Sequence, residues 1–262
     1  PPDLSLLLQS ALRASVSLKD KFGRPITDLR IAITDRCNYK CVYCRTGNQG
    51  AIYSELPLQD YLRLARVFTG LGIEKVRITG GEPLLRHDVV ELVRALSELR
   101  TLDGERLDLA ITTNGHLLAE LAQPLKEAGL RRGTVSMDAV DAERFSRITR
   151  VPTGFEAVRS GIRAAKKAGL KPVKINCVLL RGFNDDQIVD FARFARDENV
   201  VVRFIEFMPL EEDRVWSPEI VVRLEEILVS TRPKGAAEGA DPDEATLAAA
   251  QKKAQDLREQ IR

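Results

Sequence analysis

The sequence carries almost no excess of charge of either sign, with 38 acidic residues against 40 lysines and arginines. No electrostatic footprint therefore points to a nucleic-acid backbone or an anionic membrane, and a small molecule or a protein is the expected partner. Long apolar runs are missing too. The segment from Leu4 to Val16 comes nearest, but Arg13 interrupts it, no basic stretch precedes it, and it falls short of a membrane span. An N-terminal helix in a soluble protein is expected there. Cysteine is scarce, with four in 262 residues, and three of them lie at positions 37, 41 and 44. A disulfide framework spreads its crosslinks more widely, so reduced, metal-bound thiols in a cytoplasmic protein are expected. Histidine is scarcer still, and neither His87 nor His116 is close to those cysteines in the chain.

What is present is a regular alternation. Runs rich in β-branched residues occur at Asp28–Thr34, Lys75–Thr79, Asp108–Thr113, Thr134–Met137, Val173–Leu179 and Val201–Phe207, each bounded by Gly, Pro, Asn or Asp. Between them lie helical patterns: Leu58, Tyr61, Leu62, Ala65 and Phe68, then Val89–Leu99, Leu117–Ala128, Phe155–Ala168 and Asp185–Arg196. Strands alternating with helices predict a parallel sheet with its site at the carboxyl ends of the strands. The expected fold class is α/β, a partial (β/α)6 TIM-type barrel rather than a closed eight-stranded one. Ile175–Leu180 reads as a strand that is apolar on both faces. From Ser230 the composition turns linker-like. Asp241 and Pro242 then offer an N-cap and first turn for an extra C-terminal helix, whose thin apolar seam predicts a mostly solvated position. The expected division is an N-terminal extension over 1–27, the barrel over 28–229, and a linker and helix over 230–262.

Cys37, Cys41 and Cys44 form a CxxxCxxC loop directly after the first strand. Thiolates suit iron–sulfur clusters or zinc, and a four-iron cluster normally takes four cysteines, so three would leave one iron open to a substrate. Spacing alone ranks an iron–sulfur site ahead of a zinc site, which would need a fourth ligand brought in by the fold, and ahead of a redox CxxC pair. Cys177, mid-strand, reads as a core thiol.

The CxxxCxxC loop, with Tyr43 before its last cysteine, resembles the radical S-adenosylmethionine superfamily, and Thr79-Gly80-Gly81-Glu82-Pro83 looks like that superfamily's GGEP segment. From Asp28 to Trp216 the order of motifs is similar to one family, the GTP 3′,8-cyclases of molybdenum cofactor biosynthesis. The stretches that carry it include Leu29–Cys37, Val76–Arg86, Thr112-Thr113-Asn114-Gly115, Val135-Ser136-Met137-Asp138, Pro172–Asn176 and Arg203–Pro209. The resemblance implies a lyase with one [4Fe-4S] cluster on Cys37, Cys41 and Cys44. It implies S-adenosylmethionine contacts at Tyr43, Gly81, Ser136 and Met208, and GTP contacts at Arg30, Arg77, Thr112 and Lys174. An external one-electron donor is a further implied partner, and a homodimer is compatible with the family; no nucleic acid and no membrane is expected.

The likeness fades after Trp216. The family ligates a second cluster with three cysteines near its C-terminus, and no cysteine follows Cys177 here; Arg45-Thr46 stands where the family usually has Met-Pro. Two readings stay open, a truncated or altered cyclase chain and a diverged relative with another substrate, beside a non-enzymatic scaffold. The expectation is that this chain cleaves S-adenosylmethionine but cyclises little or no GTP.

Overall fold

A computed structural model describes residues 18–44, 53–209 and 216–230. Six strands, β1 (Asp28–Ala32), β2 (Lys75–Thr79), β3 (Asp108–Thr113), β4 (Arg132–Ser136), β5 (Val173–Leu179) and β6 (Val201–Glu206), form one parallel sheet in sequential order. The sheet is not closed; β1 and β6 are its edges. The helices are α1 (Leu58–Gly70), α2 (Val89–Ser97), α3 (Leu118–Glu127), α4 (Ala142–Thr149), α5 (Gly154–Lys167), α6 (Ile188–Asp197) and α7 (Leu224–Ser230). The expected partial barrel is present. The expected N-terminal and C-terminal helices, and Arg45-Thr46, lie outside the described residues.

Alternation in the strands sorts two environments. Val76, Ile78, Leu109, Ile111, Val135, Ile175 and Cys177 are buried against the helices, where each fully buried aliphatic side chain contributes roughly 1.5–3 kcal/mol. The helices answer with their own apolar stripes, such as Tyr61, Leu62 and Ala65 on α1 and Val158, Ile162 and Ala165 on α5. Positions between them, including Arg77, Thr112, Lys174 and Asn176, are half-buried and belong to the opposite, concave face. Strand β5 therefore alternates strictly and is not apolar on both faces as expected.

One boundary and one helix differ from expectation for reasons that bear on function. Strand β4 begins at Arg132, ahead of the expected Thr134, because Arg132 and Gly133 pair in register with Ala110 and Ile111 although neither looks like a strand residue. Helix α4 was not anticipated. Its eight residues bury only Phe145, Ile148 and Thr149, too short a stripe to stand out. Asp141 caps it by accepting from the Arg144 N–H at 2.9 Å, and Arg150 ends it in a left-handed conformation.

Candidate active site

At the carboxyl ends of the strands, the thiol loop is held from three sides. The end of α4 supplies two carbonyl acceptors: the Val42 N–H donates to Ile148 O at 2.9 Å and the Lys40 N–H to Thr149 O at 3.2 Å. Tyr39 is buried, with its hydroxyl 3.1 Å from His116 Nδ1 and its ring edge-on to both His116 and Phe145. That packing needs Gly154, since a Cβ there would lie 2.7 Å from the Tyr39 hydroxyl. The Tyr43 hydroxyl donates to Asp138 Oδ2 at 2.6 Å, while Asp138 Oδ1 accepts the Val178 N–H at 2.8 Å. Asp138 is buried among neutral groups, and burial raises its carboxyl to about 6.

The glycine turn after β2 packs directly against this loop. The Gly81 N–H donates to Thr34 O at 2.7 Å, and a Cβ on Gly81 would sit 2.3 Å from Arg36 O. Only a residue without a side chain fits there. Glu82 fastens the turn to β3, accepting from Thr113 Oγ1 at 2.7 Å, from the Asn114 N–H at 2.5 Å and from the Leu84 N–H at 2.9 Å. Burial raises the Glu82 carboxyl despite these donors. Ser136 ends β4 opposite Asn176 of β5, and Met208 follows Phe207, whose ring meets Tyr43 at 6.3 Å. Tyr43, Gly81, Ser136 and Met208 thus all belong to the strand-end face of the barrel.

Cys37, Cys41 and Cys44 carry thiols rather than disulfides and are half-buried. Burial raises the Cys37 thiol, and it raises Cys41 well above the ordinary range with help from the Asp138 carboxylate and from the other two cysteines. Among the described residues, no three His, Cys, Asp or Glu side chains converge as ligands of a single metal ion. A cluster spreads its thiolates over separate irons, so three neighbouring soft donors on one braced loop fit a multi-iron cluster better than one zinc ion. His116 reaches the loop through Tyr39. Cys177 is fully buried in the core.

Deeper in the barrel the chemistry changes. Arg77 Nη1 reaches past β3, donating to Thr112 Oγ1 at 3.4 Å and to Thr134 Oγ1 at 3.3 Å. Burial and the repulsion of Arg30 and Arg132 make the Arg77 guanidinium a slightly weaker base than usual. Lys174 is lowered by burial and then by Arg203, Arg132 and Arg77; Arg203 by burial and then by Arg77 and Arg30. Five cations therefore face one lumen, four of them half-buried and Arg30 exposed on the edge strand β1. Three of them, Arg30, Arg77 and Lys174, were expected together with Thr112. Arg132 and Arg203 were missed as site residues, and their signal was there in the form of arginines at lumen-facing strand positions. Each of the two leaves a buried Nε without a partner.

A family model described as the radical SAM superfamily matches residues 31–195, which include the thiol loop and the glycine turn. The chain belongs to the radical SAM superfamily. Within that superfamily it is 43% identical to the GTP 3′,8-cyclase of Acidothermus cellulolyticus over 218 residues, 80% of this chain and 59% of that protein. It is 42% identical to the GTP 3′,8-cyclase of Staphylococcus carnosus over 232 residues, 86% of this chain and 67% of that protein. The chain thus spans roughly three-fifths to two-thirds of the length of these relatives. Among solved structures, SuiB of Streptococcus suis bound to S-adenosylmethionine matches with a TM-score of 0.58 at 22% identity, covering 71% of this chain and 41% of that one. That likeness bears on the radical SAM barrel alone.

Proposed function

We propose that the chain acts on GTP as a 3′,8-cyclase, with the thiol loop as the radical-generating end of the lumen and the cation cluster as the triphosphate end. The observation that carries this reading is the cation-lined lumen below a CxxxCxxC loop: forked arginines and a lysine without enough carboxylates to balance them suit a polyphosphate. Cys37, Cys41 and Cys44 would hold the cluster, whose chemistry when bound is one-electron reductive cleavage of S-adenosylmethionine to methionine and a 5′-deoxyadenosyl radical, fed by an external donor. Tyr43, Gly81, Ser136 and Met208 would line the place of the sulfonium ligand.

The chain's own residues do the positioning. Gly81 lets backbone approach closely, Glu82 holds that backbone still, and the two tyrosine braces keep the thiol loop in one place. Arg30, Arg77, Thr112 and Lys174 anchor the phosphates, so that the ribose lies toward the loop; orientation of this kind accounts for much of a rate enhancement. With GTP held in this way, the bound cofactors would supply removal of the ribose 3′ hydrogen, after which the 3′ carbon would close onto C8 of guanine and the resulting base-centred radical would take one electron from the donor and one proton.

Anaerobically reconstituted chain incubated with S-adenosylmethionine, reductant and GTP deuterated at the 3′ carbon tests this reading. Deuterium should appear in 5′-deoxyadenosine, whose yield should rise with GTP. The 262 residues contain no cysteines beyond Cys177 to hold a second cluster, so the cyclic product should fall well short of the 5′-deoxyadenosine formed. Deuterium-free 5′-deoxyadenosine, formed equally with and without GTP, would overturn the assignment of GTP.

A further inference from the structure

The strand register stacks the lumen in rows. Asp28, Lys75 and Asp108 stand side by side on β1, β2 and β3. Two residues further along, on the same face, come Arg30, Arg77 and Ala110, with Arg132 of β4 opposite Ala110. Beyond them lies the pair Thr134 and Lys174, and then Ser136, Asn176 and Arg203. The thiol loop and the glycine turn follow at the strand ends. Passing down from the loop, a ligand meets Arg203 and Lys174 first and the row of Arg30, Arg77 and Arg132 last. Below that row stand two carboxylates, Asp108 and Asp28, the latter 3.4 Å from Lys75 Nζ.

Arg203 and Arg132 are each held through Nη2, Arg203 by the Asn176 Oδ1 amide oxygen at 2.6 Å and Arg132 by a carboxylate. Arg132 Nη2 donates to Asp108 Oδ2, and this contact tethers the guanidinium from below while leaving Arg132 Nε buried and unpartnered. The contact is one-pronged, because Asp108 Oδ1 is also without a partner. Arg132 nevertheless acts on both neighbours in the lumen, since its charge weakens Arg77 and Lys174 as bases. A guanidinium fixed at one corner, with an unused donor and two unneutralised cations beside it, is prepared for an anionic oxygen.

We propose that Arg132, aimed by Asp108, is the residue that selects the terminal phosphate of a nucleoside triphosphate. The inference rests on the proposed orientation of GTP, with its ribose toward the thiol loop. In that orientation the phosphate chain runs down the rows, and its last member reaches Arg30, Arg77 and Arg132. Arg30 and Arg77 supply charge to that row; Arg77 spends Nη1 on the hydroxyls of Thr112 and Thr134, whereas Arg132 is held by an ionic contact to Asp108. Asp108 also ends the well, since a longer phosphate chain would press its charge against this carboxylate.

The test is a ratio of affinities. GTP and GDP are titrated calorimetrically at fixed ionic strength into the cluster-loaded chain, with inorganic tripolyphosphate and pyrophosphate as guanine-free competitors. Wild type should prefer each three-phosphate ligand by about tenfold or more, the size expected of one charge-assisted contact. Arg132→Gln combined with Asp108→Asn, which removes the pair without leaving a lone buried carboxylate, should bring both preferences to within about threefold while the affinity for GMP holds. A variant that keeps the wild-type preference, or that weakens GTP, GDP and GMP alike, would overturn the proposal. Should the double variant fail to fold by circular dichroism, Arg132→Lys keeps the charge without the fork and should still lose at least about half of the logarithmic preference; an unchanged ratio would overturn it equally. If wild type ignores GTP but prefers tripolyphosphate, and the variant loses that preference, the choice of GTP falls while the role of Arg132 stands.

Discussion

The two ends of the lumen are built on opposite plans. At the strand ends, groups that matter sit close together in the chain: three thiols and Tyr43 span eight positions, and Gly81 and Glu82 are adjacent. They are braced by hydrogen bonds from α4, His116 and Asp138. Deeper down, the five cations come one each from β1, β2, β4, β5 and β6, and carboxylates balance few of them. The comparison teaches that a soft-ligand site needs loop geometry, which a short contiguous motif can encode. A polyanion site needs summed charge, which single residues on many strands provide once the sheet curves. The first should respond to mutation as all or nothing, and the second in graded, salt-dependent steps.

The sharpest way to break this contrast is at the thiols. Cys41→Ala should abolish the cluster's visible absorbance and its reduced-state electron paramagnetic resonance signal, leaving GTP affinity within about threefold of wild type, because a lost thiolate removes a ligand that nothing else replaces. Cys177→Ala should retain both signals and cost only about 1–2 kcal/mol of stability through a small cavity. Absorbance lost in the Cys177 variant, or GTP binding lost in the Cys41 variant, would merge the two ends into one cooperative unit.

A graded effect is expected at the other end. Arg77→Ala should weaken GTP by about ten- to a hundredfold, with hydrogen bonds to charged groups as the guide, and should flatten the dependence of affinity on salt. Cluster content should not change. Equal salt slopes in wild type and variant would mean that Arg77 does not face the phosphates.

An effect confined to stability concerns Asp138, the buried carboxyl that braces the loop through Tyr43. Its folded value, about 6, lies above the ordinary 3.8, so the neutral form favours the fold. That contribution is full below 3.8 and is lost as pH rises through about 6. In cluster-free chain, wild type should therefore lose roughly 2 kcal/mol relative to Asp138→Asn between pH 4 and pH 7. Urea denaturation of both at several pH values measures it, and parallel pH profiles would show that another group carries the brace.

Much of this was legible before any coordinates. The alternation of strand and helix patterns determined a parallel α/β barrel, since buried strands of this kind have few other packings, and the cysteine spacing with the glycine turn determined which chemistry sits at its mouth. Local order sufficed because these signals are periodic or contiguous. The tertiary structure decided the rest. Helix α4 was hidden by its three-residue apolar stripe, yet its carbonyls hold the thiol loop. Arg132 and Arg203 in the strands, and Asp138 just past β4, looked like ordinary charged residues, and burial alone separates them from solvated ones. No periodicity records that Arg132, placed near a glycine at the start of a strand, would be tethered by an aspartate 24 residues earlier. Register between neighbouring strands, a property of the assembled sheet, brought Arg30, Arg77 and Arg132 into one row.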